Sequence, residues 1–287
     1  MEQWFILALI SVFAIAGSEI SQKISLTHKA NISAVTNNFV VWTLQGIGGL
    51  LLAISFHQLN TSLSLNDYLR LFAVAVAYFF GGTFFYTSYK SNSPSISIIL
   101  GSVSIVISTS LGIILFRENS SFQKFIGIAI ILISIIIVNY TKKERINKYN
   151  FFAFLGGAFY GLAYTLDKSN VLRTNPTIYV ALMSFSVAII SLIIRPFHII
   201  KEVKKLKKTN YYSMFSAAFF GTLFNLFTFL SYSKGGNVGI VDAMNNSSIF
   251  LIIFLEILIL KDRSKLKKKI VCAVFILLGI ILLSQVH

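Results

Sequence analysis

The 287-residue chain has little cysteine, proline and charge. Its single Cys excludes a disulfide-stapled scaffold, and its 12% of charged residues is half of the roughly 25% usual in soluble domains. It contains neither a G-x-x-x-x-G-K-[ST] phosphate loop nor an H-E-x-x-H zinc motif. What the chain does have is 55% hydrophobic and 14% aromatic residues, with a mean hydropathy of +0.76. This balance indicates an integral membrane protein whose apolar surface faces lipid.

A membrane-spanning helix needs about 20 mostly apolar residues. Ten segments meet that requirement, so we predict an all-α integral membrane protein with ten transmembrane helices. They run near Trp4–Ile24, Ser33–Phe56, Tyr68–Tyr89, Ser95–Phe116, Phe122–Tyr140, Phe151–Leu166, Thr177–Ile194, Tyr211–Tyr232, Val238–Leu260 and Ile270–Val286. These spans and their connections leave no room for a soluble domain.

Shifting the chain by about 144 residues aligns its two halves. The pair Arg117-Glu118 then falls beside Lys261-Asp262, and Ser104 falls beside Ser248. Each half, residues 1–145 and 146–287, holds five predicted spans. Because five is odd, the second half must cross the membrane in the opposite sense to the first. Inverted repeats of this kind are typical of secondary transporters, whose substrate site lies between the repeats near the midplane.

The best local match to a known family lies in Ser95–Val138. Here a span rich in small residues ends in Leu115-Phe116-Arg117-Glu118, and Gly127 follows nine residues after Glu118. Along its whole length the chain resembles the ten-helix EamA-type proteins of the drug/metabolite transporter superfamily. It departs from them near Ser104-Ile105 and Ser248-Ile249, where the family usually has proline. The resemblance implies alternating-access transport of a small organic metabolite, such as an amino acid or a sugar, without a cofactor.

The basic residues predict the orientation of the chain. On the ten-span interpretation, 19 of the 25 Lys and Arg lie on the side opposite the N-terminus. Because basic loops stay in the cytoplasm, both termini are predicted to be extracytoplasmic, whereas EamA-type proteins usually keep them in the cytoplasm. We expect a cytoplasmic-membrane protein, monomeric or homodimeric, whose basic loops contact anionic lipid headgroups. Nucleic acid is not an expected partner.

Acidic residues inside the spans are the leading functional candidates, because an ionisable group there costs about 2.5–3.5 kcal/mol on insertion scales. The spacing of Glu19 and Lys23 favours an ion pair. The fourth span carries a small-residue stripe that favours close helix packing, made of Ser97, Gly101, Ser104, Ser108 and Gly112. The candidate substrate-binding or ion-coupling residues are Glu19, Lys23, Asn38, Trp42, Tyr164, Asp167, Asn225, Asp242, Asn245, Asn246 and Glu256. The alternative role for this set is hydrogen bonding between helices and pairing at helix ends.

The sequence therefore predicts a multi-pass secondary transporter, with proton coupling through the buried acids as one option. A lipid flippase or a scaffold that does not transport is the alternative. An intramembrane enzyme is less favoured, since all four His lie in loops or at the chain end. We expect no catalytic residues and no metal.

Cysteine labelling tests the predicted orientation. A membrane-impermeant thiol reagent added to intact cells should label Glu2→Cys and should not label Lys205→Cys, which lies in the most basic loop. Lysed cells provide the control, because both positions should react there. Labelling of position 205 in intact cells would contradict the orientation.

Overall fold

The computed structural model describes residues 2–27, 32–59, 63–139 and 147–284, and the side chains of Asn139 and Ser284 are not described. Within these ranges the regular structure is helical. The helices are α1 (Gln3–Thr27), α2 (Ala34–Ser55), α3 (Leu65–Ser88), α4 (Pro94–Gly101), α5 (Val103–Phe116), α6 (Phe122–Asn139), α7 (Lys148–Val171), α8 (Pro176–Ile194), α9 (Pro196–Val203), α10 (Lys208–Ser233), α11 (Val238–Asn246), α12 (Ile249–Leu255), a π-helical segment (Glu256–Leu260) and α13 (Leu266–Ser284).

Seven helical stretches are long and apolar enough to cross a membrane, counting Pro94–Phe116 and Val238–Leu260 as one stretch each. A shorter apolar helix covers Phe122–Val138. These helices establish a multi-pass membrane protein, whereas the count of ten spans stays a prediction. The predicted ends of the fifth and tenth spans, Tyr140 and Val286, lie outside the described residues.

Local sequence signals set several helix starts. All three prolines occupy the first helical turn, at Pro94, Pro176 and Pro196, where the missing N–H has no intrahelical partner to lose. Ser64 and Asp67 form a capping box at the start of α3, with the Ser64 N–H 3.0 Å from the Asp67 carboxylate. Each proline of the chain therefore marks the start of a helix.

The helices pack in pairs that follow the internal repeat. Under the 144-residue shift, α1 corresponds to α7 and α3 corresponds to α10. In the structure α1 packs along α10, and α3 packs along α7. In addition, α2 packs along its own counterpart α8, and α6 along its counterpart α13. The first helix of each repeat therefore lies against the third helix of the other, and the repeats enclose a shared centre.

Glycine permits the closest of these approaches. A Cβ at Gly157 on α7 would overlap the backbone of Gly101 on α4, which is one of the small residues of the fourth span. The expected close packing of that span is confirmed here.

This contact can be tested by substitution. Gly157→Ala should lower the unfolding free energy by about 1–3 kcal/mol, because backbone atoms cannot move aside as a side chain can. Thermal unfolding of purified protein, followed by tryptophan fluorescence, measures the loss. Gly81→Ala is the matched control, since a Cβ there stays 3.3 Å or more from its neighbours. Equal stability of the two variants would contradict the packing argument.

Candidate substrate site

Two interrupted helices cross at the centre of the protein. The fourth span breaks at Ser102, between α4 and α5, and the ninth breaks at Ser247–Ser248, between α11 and α12. Ser102 Oγ donates to the Ile98 carbonyl at 2.9 Å, a bond of the kind that bends helices. It also lies 3.2 Å from Asn246 Oδ1. Serine residues thus lie at both breaks, and the two breaks touch.

Asp242 on α11 is fully buried and receives hydrogen bonds from the neighbouring interrupted helix. Ser108 Oγ donates to it at 2.8 Å and Ser104 Oγ at 3.2 Å. Asn246, one turn along α11, donates at 2.9 Å. Two members of the small-residue stripe therefore also serve as donors to this carboxylate.

Glu19 on α1 is buried against the end of α3. The hydroxyls of Tyr86, at 3.4 Å, and Tyr89 donate to its carboxylate. The expected ion pair between Glu19 and Lys23 is not among the salt bridges of the described residues. Lys23 Nζ instead donates to the carbonyls of Tyr89 and Asn92, the latter at 2.8 Å. The ammonium satisfies the carbonyls at the end of α3, while the carboxylate turns toward the centre.

Two small cavities lie at this centre, and both are bordered by Ile15, Glu19, Tyr160 and Tyr164. The first is completed by Phe85, Ile98, Gly101, Ser104, Gly157, Asp242, Asn245, Asn246 and Ser248, and the second by Ser18, Gln22, Trp42, Gln45, Tyr78, Tyr86, Gly221, Phe224 and Asn225. Their free volumes are about 40 and 30 Å³. Sites for organic ligands usually measure hundreds of Å³, so this conformation is contracted around its centre.

The structure brings most of the predicted residues to these cavities. Seven of the candidates line them, namely Glu19, Trp42, Tyr164, Asn225, Asp242, Asn245 and Asn246. Asn245 Oδ1 also accepts from Ser11 on α1 at 2.6 Å, and Asn225 donates to Gln45 at 2.9 Å. The candidate set omitted Gln22, Gln45 and Tyr160. Tyr160 could have been found from its position one turn before Tyr164.

Four candidates lie elsewhere. Lys23 lines a wider opening of about 530 Å³ near the C-terminal end of α1. Asp167 lines neither cavity, but it accepts from Tyr78, which lines the second one, and from Tyr179 at 2.6 Å. Asn38 packs against α3, where its amide donates to Thr83 at 3.3 Å.

Glu256, the fourth, forms a buried ion pair with Lys269 of α13. Their atoms are 2.8 Å apart and both side chains are 1% exposed. The carboxylate also accepts from the Ser95 N–H at 2.5 Å and from Ser95 Oγ at 2.7 Å. It therefore satisfies donors in the first turn of α4, where a negative charge is stabilised.

The first repeat builds a matching cap from a different position. Glu118 accepts from the Val238 N–H in the first turn of α11, at 3.0 Å, and pairs with Lys168 of α7 at 2.9 Å. Its carboxylate occupies space beside Gly112, where a Cβ would lie 2.5 Å from Glu118 Oε2. Under the 144-residue shift, Gly112 corresponds to Glu256. The second repeat therefore supplies its capping carboxylate, Glu256, from within the helix. The first repeat supplies Glu118 from just beyond the helix end, where Gly112 leaves room for it.

Interrupted helices that meet between two repeats are typical of secondary transporters. The chain matches the EamA-like transporter family over residues 2–140 and again over residues 147–285. It therefore belongs to the EamA-like transporter family, within the drug/metabolite transporter superfamily. A solved structure, titled only "Crystal structure of protein", shares the fold with a TM-score of 0.71. The match covers 97% of this chain and 95% of that chain at 10% sequence identity. No curated protein matches the sequence.

The Glu256–Lys269 pair can be tested with a double-mutant cycle. Lys269→Met should cost about 3–5 kcal/mol of unfolding free energy, because it leaves a buried carboxylate without its cation. Adding Glu256→Gln should recover much of that loss. Thermal unfolding of the purified variants measures both effects, with the exposed Lys267→Met as the control. A double variant that is less stable than Lys269→Met would contradict the pairing.

Proposed function

We propose that this protein is a secondary transporter that moves a small organic metabolite by alternating access between two inverted five-helix repeats. The observation that carries the proposal is the pair of central cavities beside the two interrupted helices, which touch at Ser102 and Asn246. Their walls come from both repeats, through α1, α2, α3, α4 and α5 on one side and α7, α10 and α11 on the other. A solute bound there contacts both repeats, so movement of one against the other changes its access.

The two carboxylate caps supply a gate for each end. If the chain crosses the membrane ten times, the Glu118–Lys168 cap lies on the side of the N-terminus and the Glu256–Lys269 cap lies on the other. Both caps are closed in this conformation. The 530 Å³ opening at Lys23 lies on the Glu256 side, and we propose it as the vestibule through which solute arrives. Release of one cap at a time gives alternating access.

Proton coupling is assigned in this proposal to Glu19 and Asp242. Both carboxylates border the central cavity, so a proton on either one can respond to a bound solute. The titratable groups that face Glu19 are Tyr86 on α3, Tyr89 just beyond α3, and Tyr160 and Tyr164 on α7. Asp242 faces Tyr164 and Tyr232. Phenols stay neutral near neutral pH, which leaves the two carboxylates as the groups that exchange protons.

The location of the protein follows from the same topology. We place it in the cytoplasmic membrane, as a monomer or homodimer, with both termini outside the cytoplasm. The vestibule at Lys23 then faces the cytoplasm, together with the basic loops and the anionic lipid headgroups that they contact.

Transport by reconstituted protein tests the function. A panel of amino acids and sugars is screened for those that raise the thermal stability of the protein, and the best is offered to proteoliposomes. We expect saturable uptake that is accelerated by an imposed pH gradient. Glu19→Gln or Asp242→Asn should abolish that acceleration, because an amide cannot exchange a proton.

The control is Glu202→Gln, which neutralises an acid that accepts from Ser33 and Thr36, lines neither cavity and should keep the acceleration. Lipid scrambling is measured in the same vesicles with a fluorescent phospholipid. Lipid scrambling without solute uptake would contradict the proposed transporter and would support the lipid flippase alternative. Uptake in which all three variants still respond to pH would remove the coupling step.

A further inference from the structure

The charge of the central cavities is one-sided. Among the described residues that line them, two are acidic, Glu19 and Asp242, and none is Lys, Arg or His. The nearest basic residue along α1, Lys23, directs its ammonium to the carbonyls of Tyr89 and Asn92 at the vestibule. A protein with more than twice as many basic as acidic residues thus places only acids at its centre.

Neutral donors hold these two carboxylates. Glu19 accepts from tyrosine hydroxyls, and Asp242 from serine hydroxyls and an amide. None of the salt bridges between described residues involves either of them. An ionised carboxylate in an apolar interior is costly without a cation, so the site favours either a proton or a cationic ligand on each.

The two acids that cap the interrupted helices are paired differently. Glu118 and Glu256, which cap the interrupted helices, each have a lysine within 3 Å. Glu19 and Asp242 have no such lysine among the described residues, and neither has Asp167, which two tyrosines hold. Among the described acids, Glu19 and Asp242 are the ones that line the central cavities.

Aromatic rings complete the surroundings of the two acids. Tyr160 and Tyr164 stack with their ring centroids 5.9 Å apart and border both cavities, and Phe85 lies edge-on to Tyr160 at 5.6 Å. Ring faces attract ammonium groups, and this attraction is strongest where water is excluded. An anionic solute would meet two carboxylates and these ring faces, without a basic residue to bind it.

We propose that the central site binds an organic ammonium ion, whose amine lies at Glu19 and Asp242 and whose apolar part lies against Tyr160 and Tyr164. The inference rests on the proposed transport function for its physiological role, but binding can be measured separately. A free volume of about 40 Å³ accommodates a methylammonium-sized group. A larger body requires the helices to separate. Binding of the ammonium displaces a proton from a carboxylate, which leaves the net charge of the site unchanged.

A matched series of ligands tests the proposal. Phenethylamine, 2-phenylethanol and 3-phenylpropionate share an aromatic body and differ in charge, and methylammonium tests the amine alone. Calorimetric titration of the purified protein should give binding of one or both amines. The alcohol and the acid should bind at least roughly tenfold more weakly, since a hydrogen bond to a charged group contributes more than a neutral one.

Variants locate the site. Glu19→Gln and Asp242→Asn should each weaken binding of the amine roughly tenfold or more, whereas Glu202→Gln, at an acid that lines neither cavity, should leave it unchanged. Thermal unfolding of each variant shows whether it is folded. Should a variant fail to fold, the same titration of Tyr164→Leu, which removes a ring from both cavities, is expected to show weakened amine binding.

Failure of this inference differs from failure of the proposed function. If neither amine binds, if the alcohol or acid binds as tightly, or if the double variant Glu19→Gln/Asp242→Asn folds and keeps full amine affinity, the ammonium assignment is wrong. Uptake of an amino acid or sugar in proteoliposomes would then still support a transporter. Amine binding without uptake of any solute would keep the site and remove the transport function.

Discussion

Lipid provides no hydrogen-bond partner, so each polar group inside this protein must be satisfied by another part of the chain. That constraint explains how the interior is organised. Asp167 is held by two tyrosines, Glu256 by a lysine and the start of α4, and Asn245 by Ser11 on α1. Most of these bonds join elements far apart in sequence. The polar residues that make the spans less apolar are therefore the ones that tie the helices together.

The same constraint applies to the interrupted helices. A break inside the membrane creates two extra helix ends, whose backbone groups need partners. Here the breaks lie at the buried centre, and the starts of α4 and α11 at the two faces each receive a carboxylate. The two repeats place this carboxylate differently. Glu256 lies at the position that corresponds to Gly112, and its carboxylate fills the space that the Glu118 carboxylate occupies in the first repeat. The geometry of the caps is thus repeated in the two halves although the residues differ.

Particular residues show how far the candidate site could be predicted. Asp242, Asn245 and Asn246 could be predicted as site residues, because they form a polar cluster inside an apolar span. Polar residues at that depth are costly and are usually functional. The partners of Asp242, Ser104 and Ser108, could not be predicted, since serines in a membrane span are equally typical of close helix packing. The pairing of Glu19 with Lys23 was wrong for a related reason. Spacing on one helix favours such a pair, but nearby carbonyls and tyrosine hydroxyls satisfied each group separately.

The sequence by itself determined the membrane class, the positions of the apolar helices and the repeat, because these depend on hydropathy, helix length and charge pairs that are local in the chain. It also identified the acids buried within the spans. The tertiary structure alone decided which acids have lysine partners and which border the central cavities. In the sequence, an acid with a lysine partner and an acid that borders a cavity look the same, because each is a single acidic residue within or at the end of an apolar span. The difference arises from the rotation of each helix and from partners on other helices, such as Ser108 for Asp242 and Lys168 for Glu118.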